Sequence, residues 1–221
     1  ENILFEPGKA TFQFFELSCY HYDPEPGNLF MGATAKINTD LAAMKDIRYF
    51  DYQDLREKIL DMSPEEYKEY NLEIKQKEQE ALEEYIQNNP VCKKAQQIKN
   101  MQITYSNAQN ILSYNMNRTS AYRRKHNVPR DQREIPLERV ELEKEFYDFI
   151  TPKEINNPLA AITGGDYYFF INRLKYSDPV RHTGIISVNN VEDIFERFEE
   201  RNITVDPKVK EIMIKLYDTE S

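Results

Sequence analysis

The sequence predicts a mainly α protein, an irregular antiparallel helical bundle with a small β element at its N-terminal end. Three observations predict it. Apolar residues alternate with period two only up to about residue 33, and from Thr34 onward they recur every three to four positions. The run Met62-Ser63-Pro64-Glu65-Glu66-Tyr67 stacks several helix-start signals: Ser63 as cap, Pro64 at the first helical position, Glu66 closing a capping box and Met62 able to staple Tyr67. Finally, 15 Tyr and 12 Phe in a chain of 221 residues supply enough bulk for a real core. The chain therefore divides into a short β segment at 1–33, read as the remnant of a larger β-domain, and a helical domain at 34–221.

Within the first part, Glu6-Pro7-Gly8-Lys9 has proline and glycine in type II turn positions. Ala10-Thr11-Phe12-Gln13-Phe14 alternates, and Leu29-Phe30-Met31 is a second short apolar run. Asp23 to Asn28, with two prolines and a glycine, is a loop between them. Two short strands are marginal alone in water, which is why the segment reads as part of something larger.

Helices follow. Ile37, Leu41 and Met44 mark one face; Tyr52, Leu55, Ile59 and Leu60 mark the next, with Asp51 or its neighbours able to start it. Between Ser63 and Asn88 the stripe is Tyr67, Tyr70, Ile74, Ala81, Leu82, Tyr85 and Ile86. Lys77 and Glu78 interrupt it, so a partly solvated middle is expected. After Pro90, the positions Ala95, Ile98, Met101, Tyr105, Ala108, Leu112 and Met116 predict one long helix running to about Lys125, folded back against its predecessor through Asn88-Asn89. Arg123-Arg124-Lys125-His126, with Arg130 and Arg133, reads as a helix C-terminus and polar loop, an anion site being the alternative. Past Pro136 a helical pattern resumes at Leu137, Val140, Leu142, Phe146, Phe149 and Ile150. Shorter helices follow, punctuated by Thr151-Pro152, Asn157-Pro158 and Gly164-Gly165. Tyr167 to Ile171, with Leu174 and Tyr176, predicts a core helix. Asn190 and Asp206-Pro207 open two more, carrying Ile194, Phe195 and Phe198, then Val209, Ile212, Ile214 and Leu216.

A net charge of −9 argues against nucleic acid or an anionic membrane surface as the main partner. No run approaches the roughly 18 apolar residues of a membrane-spanning helix. Catalytic patterns are wanting as well. His21, His126 and His182 accompany no nucleophile motif, the pairs Glu65-Glu66, Glu83-Glu84 and Glu199-Glu200 point apart on a helix, and no metal or cofactor motif occurs. The reading names no catalytic, cofactor-binding or metal-binding residue and no cofactor. Cys19 and Cys92 form no Cys-x-x-Cys and read as two separate thiols. Cys92, beside Lys93 and Lys94 in the first turn after Pro90, is the thiol whose surroundings could activate it.

Three motifs in order, Glu6-Pro7-Gly8-Lys9, Gly32-Ala33-Thr34-Ala35-Lys36-Ile37-Asn38 and Met62 to Tyr67, resemble the region preceding the thioredoxin domain in TlpA-like thiol-disulfide oxidoreductases of bacterial envelopes. Asn157-Pro158-Leu159 and Tyr167 to Lys175 resemble its later part. The resemblance implies a non-catalytic helical region that positions or pairs a thioredoxin domain of the same parent chain, as monomer or homodimer. It also implies a periplasmic or envelope location, with a secretory or lipoprotein leader upstream and a Cys-x-x-Cys downstream. This chain lacks that motif, so no catalytic residue carries over. A self-contained helical module binding a peptide or small ligand is the alternative.

Overall fold

The computed structural model describes residues 3–4, 8–14, 29–163, 165–177, 191–200 and 202–217. Helices dominate it, with one short antiparallel hairpin, so the fold is mainly α with a small N-terminal β element. Cys19, His21, His182, the loop at Asp23 to Asn28 and the Asn190 cap lie outside the described residues. The chain forms two compact units, one of residues 1–49 and 77–103, the other of 50–76 and 104–221. They do not follow a boundary at residue 33, because the hairpin belongs with the helices next to it.

In the first unit, β1 (Thr11–Phe14) pairs with β2 (Leu29–Gly32) in a register setting Thr11 opposite Gly32 and Phe14 opposite Leu29. Gly32 ends the hairpin at φ +100, where a Cβ would stand 2.2 Å from the Ala10 carbonyl oxygen. Only glycine fits so close an approach. Gly32→Ala should therefore destabilise by roughly 1–3 kcal/mol or more and loosen the hairpin, read as faster amide exchange in β2 than in α3. The helix α1 (Ala35–Ala43) follows at once, joined to β1 by a hydrogen bond between the Thr11 and Thr34 hydroxyls. Asn38, 2% exposed, uses its side-chain amide like a strand partner: Oδ1 accepts from Leu4 N–H at 2.8 Å and Nδ2 donates to Leu4 O at 3.0 Å. Ile37, Met44 and Ile47 pack with Leu82, Ala95, Ile98 and Ile103 as this unit's core.

Two long helices contribute to both units: α3 (Pro64–Asn88) and α4 (Lys93–Leu112). The start of α3 is the expected capping box, with Glu66 N–H donating to Ser63 Oγ at 3.1 Å and Ser63 N–H donating to Glu66 Oε2 at 2.8 Å. Ser63→Ala should lower stability by roughly 0.5–2 kcal/mol. An unchanged denaturation midpoint would mean the cap contributes nothing. The interrupted stripe is a correction: Lys77 is exposed, but Glu78 is only 3% exposed, its Oε1 accepting the Tyr49 N–H at 2.7 Å.

In the second unit, α2 (Tyr52–Lys58) starts at Asp51, whose Oδ1 accepts from the N–H groups of Gln53 and Asp54 at 2.7 and 3.2 Å. A second correction concerns the helix expected to run unbroken towards Lys125. It ends at Leu112, and α5 (Tyr114–Lys125) begins after Ser113. The backbone tightens at the break, with Ser113 N–H donating to Asn110 O at 3.0 Å, and two side-chain hydrogen bonds reinforce it: the Tyr67 hydroxyl donates to Asn110 O at 2.6 Å and Ser113 Oγ to Gln109 O at 2.7 Å. Tyr67, Leu55, Ile59, Ile111, Tyr114, Ala121, Phe146 and Tyr147 form the core on this side.

The helix expected after Pro136 does not form. Residues 132–143 run without regular structure, and only a 3₁₀ turn appears at Lys144–Tyr147. Short helices then follow as α6 (Pro152–Ile155), α7 (Pro158–Thr163) and α8 (Gly165–Leu174), with α9 (Val191–Glu200) and α10 (Pro207–Tyr217) beyond. Tyr167, Phe170, Ile171 and Leu174 are buried on α8, while Phe169 and Tyr176 are about half exposed, so the aromatic run is core on one side only. On α10 the buried positions are Val209 and Met213, and Leu216 is half exposed.

Candidate functional site

Cys92, the one thiol that the sequence singles out, lies just before α4 and is partly exposed. Its surroundings are dominated by a carboxylate. Asp40 of α1, 7% exposed, accepts the Cys92 N–H at Oδ2 over 2.8 Å and the Lys36 ammonium at Oδ1 over 2.5 Å. Lys36 Nζ also donates to Pro90 O at 2.8 Å. Burial pushes the Asp40 carboxyl upward, but the Cys92 N–H, the Lys36 ammonium and the Cys92 thiol outweigh it and hold the group below the usual carboxylate range. The cluster latches α1 onto the first turn of α4, where a negative charge also suits the helix N-terminus.

The basic run closes the C-terminus of α5 as expected, with Arg123, Arg124 and Lys125 in its last turn and an irregular segment beyond, and one of these residues has a further role. Asn127 takes φ +51 and turns the chain back, with Val128 N–H donating to Arg123 O at 2.8 Å. Arg123 then binds the returning chain, donating from Nη1 to Pro129 O at 2.5 Å and from Nη2 to Gln132 O at 2.6 Å. Two more residues of α5 continue the pairing. Arg118 Nη1 donates to Glu138 O at 3.3 Å, and Asn115 exchanges two hydrogen bonds with the backbone of Val140, at 2.8 and 3.0 Å. This side-chain ladder lays residues 128–140 along α5 and keeps them out of a helix, which explains the missing helix after Pro136.

Between α5 and that segment lies a groove of about 350 Å³, open to solvent and lined by Asn115, Met116, Arg118, Thr119, Leu137, Glu138 and Arg139. Met116 is 45% exposed there. The Arg118 guanidinium carbon sits 5.5 Å from the centre of the Tyr114 ring, and its Nε is buried with no hydrogen-bond acceptor. No protein-family model, curated protein or solved structure matches this chain. The groove and the Cys92 cluster therefore have to be read from their own chemistry.

The remaining polar features have local roles. His126 is exposed and stacks on Tyr122 with centroids 4.3 Å apart. Glu66 belongs to the capping box, Glu199 pairs with Lys210, and Glu83 and Glu84 are exposed. Among the described residues no group of three or more His, Cys, Asp or Glu is placed to hold a metal ion, and no helix is long and apolar enough to cross a membrane. Sequence reasoning missed the groove because its two arginines are far apart in the chain. One signal was present: residues 118–139 carry seven Lys and Arg against three Asp and Glu, a local net charge of +4 in a chain of −9.

Proposed function

We propose that this chain is a non-catalytic helical region of a TlpA-like envelope thiol-disulfide oxidoreductase, positioning or pairing a thioredoxin domain encoded by the same parent gene. The observation that carries the reading is that three residues of one resembling motif, Gly32 to Asn38, sit together at one junction. Gly32 ends the hairpin where no side chain fits, Thr34 joins it to α1, and Asn38 clasps the backbone of Leu4. These are the residues by which a β element is fixed directly onto a helical region, the organisation that the resemblance implies. Cys92, bound to Asp40, takes a packing role in this reading, and the electrons pass through the thioredoxin domain.

Sequencing the parent gene tests this. The reading expects a secretory or lipoprotein leader upstream and, downstream, a strand, a Cys-x-x-Cys and a helix. A parent frame without paired cysteines would remove it. The groove beside α5 favours a second reading, a self-contained ligand-binding module, which would then take its place.

A further inference from the structure

We propose that the groove between α5 and residues 137–139 binds a carboxylate attached to a short apolar body, such as the last residue of a peptide ending in an aliphatic side chain. Three observations converge on it. The first is shape: about 350 Å³ is at the lower end of the range of roughly 300–1,000 Å³ typical of small-ligand sites, enough for one small group. The second is charge. The segment that builds the groove is the positive part of an acidic protein, so the field there draws in an anion that the rest of the surface repels. Arg124, Lys125, Arg130 and Arg133 are all exposed around the ladder and enter no ion pair among the described residues.

The third observation is the lining itself. Two arginines, Arg118 and Arg139, line one groove, and the Arg118 side chain is held against its wall by the Nη1 bond to Glu138 O. Met116 and Leu137 supply the apolar surface for the body of the ligand. The Glu138 carboxylate also borders the groove, which favours a singly charged ligand over a dianion such as phosphate. Asn115 is committed to Val140 and holds the wall in place. This assignment does not depend on the thioredoxin reading, and its test is separate from the gene sequence that decides that reading.

The test is a titration of the intact chain, labelled with ¹⁵N, using N-acetyl-leucine, N-acetyl-leucinamide and a hexapeptide ending in leucine. N-acetyl-leucine should shift the amide signals of residues 115–119 and 137–139, and its amide, lacking the negative charge, should bind at least about tenfold more weakly. Arg139→Gln and Met116→Glu, both at exposed positions, should each weaken the acid about tenfold while leaving the circular dichroism spectrum unchanged. Arg118→Ala should do the same, but it also removes packing on Tyr114, so the exposed variants decide the matter. Tighter binding of the hexapeptide than of N-acetyl-leucine assigns the ligand to a peptide end, and equal binding to a free small acid. Either result upholds the site. No shift at millimolar acid, equal binding of acid and amide, or shifts unaffected by Arg139→Gln and Met116→Glu would overturn it.

Discussion

Replacing Tyr67 with alanine should lower the stability of the fold by roughly 3–5 kcal/mol, the cost of removing a large aromatic side chain from a core that cannot close over the space. Tyr67 is fully buried, with its ring centre 5.0 Å from that of Tyr114. Its hydroxyl donates to Asn110 O and accepts from Asn117 Nδ2 at 3.0 Å. One side chain thus joins α3 to both helices on either side of the Ser113 break. Tyr67→Phe separates the two contributions. It keeps the ring, leaves the Asn117 amide without its acceptor, and should cost about 1–3 kcal/mol. Urea denaturation of both variants checks the prediction; equal losses would mean that the hydroxyl, not the ring, dominates.

Asp40→Ala is the second large effect, at roughly 1.5–3 kcal/mol, because it leaves the partly buried Cys92 N–H unpaired and removes charge-assisted bonds. Its pH dependence follows from the lowered folded-state pKa. A carboxyl depressed in the folded state stabilises fully above its unfolded value of about 3.9 and loses that contribution as pH falls through the lower folded value. The stability gap between the natural chain and Asp40→Asn should accordingly be widest near neutral pH and shrink below about pH 4. A gap that stays constant from pH 7 to pH 3 would show that Asp40 is not the anchor of α1.

What the sequence revealed and what it concealed divide along the range of the interactions. Ser63, Asp51 and Asp206 cap helices through residues two or three positions away, and all three caps are legible in the local pattern. The break at Ser113 is not; among the bonds made there is one from a Tyr67 hydroxyl 43 positions distant to the Asn110 carbonyl. Leu137, Val140 and Leu142 have helical spacing yet lie in an irregular segment, since the Asn115 amide supplies the hydrogen bonds that a helix would have made. Glu78 looks solvated in sequence and is buried because the Tyr49 N–H reaches it. The groove shares this character. Its apolar and cationic residues come from two stretches that meet only after the chain turns at Asn127, so composition showed the local positive charge but not the concave surface that it surrounds.

The proposed role, a helical region serving a thioredoxin domain and carrying no redox chemistry of its own, is tested most directly by disulfide reductase activity. The measurement compares this chain, its Cys92→Ser variant and the full parent polypeptide with and without residues 34–221. The account predicts no turnover from the chain or its variant, turnover from the parent, and weaker turnover when the helical region is deleted. Turnover by the isolated chain that disappears in Cys92→Ser, or a parent polypeptide with no reductase activity, would contradict it.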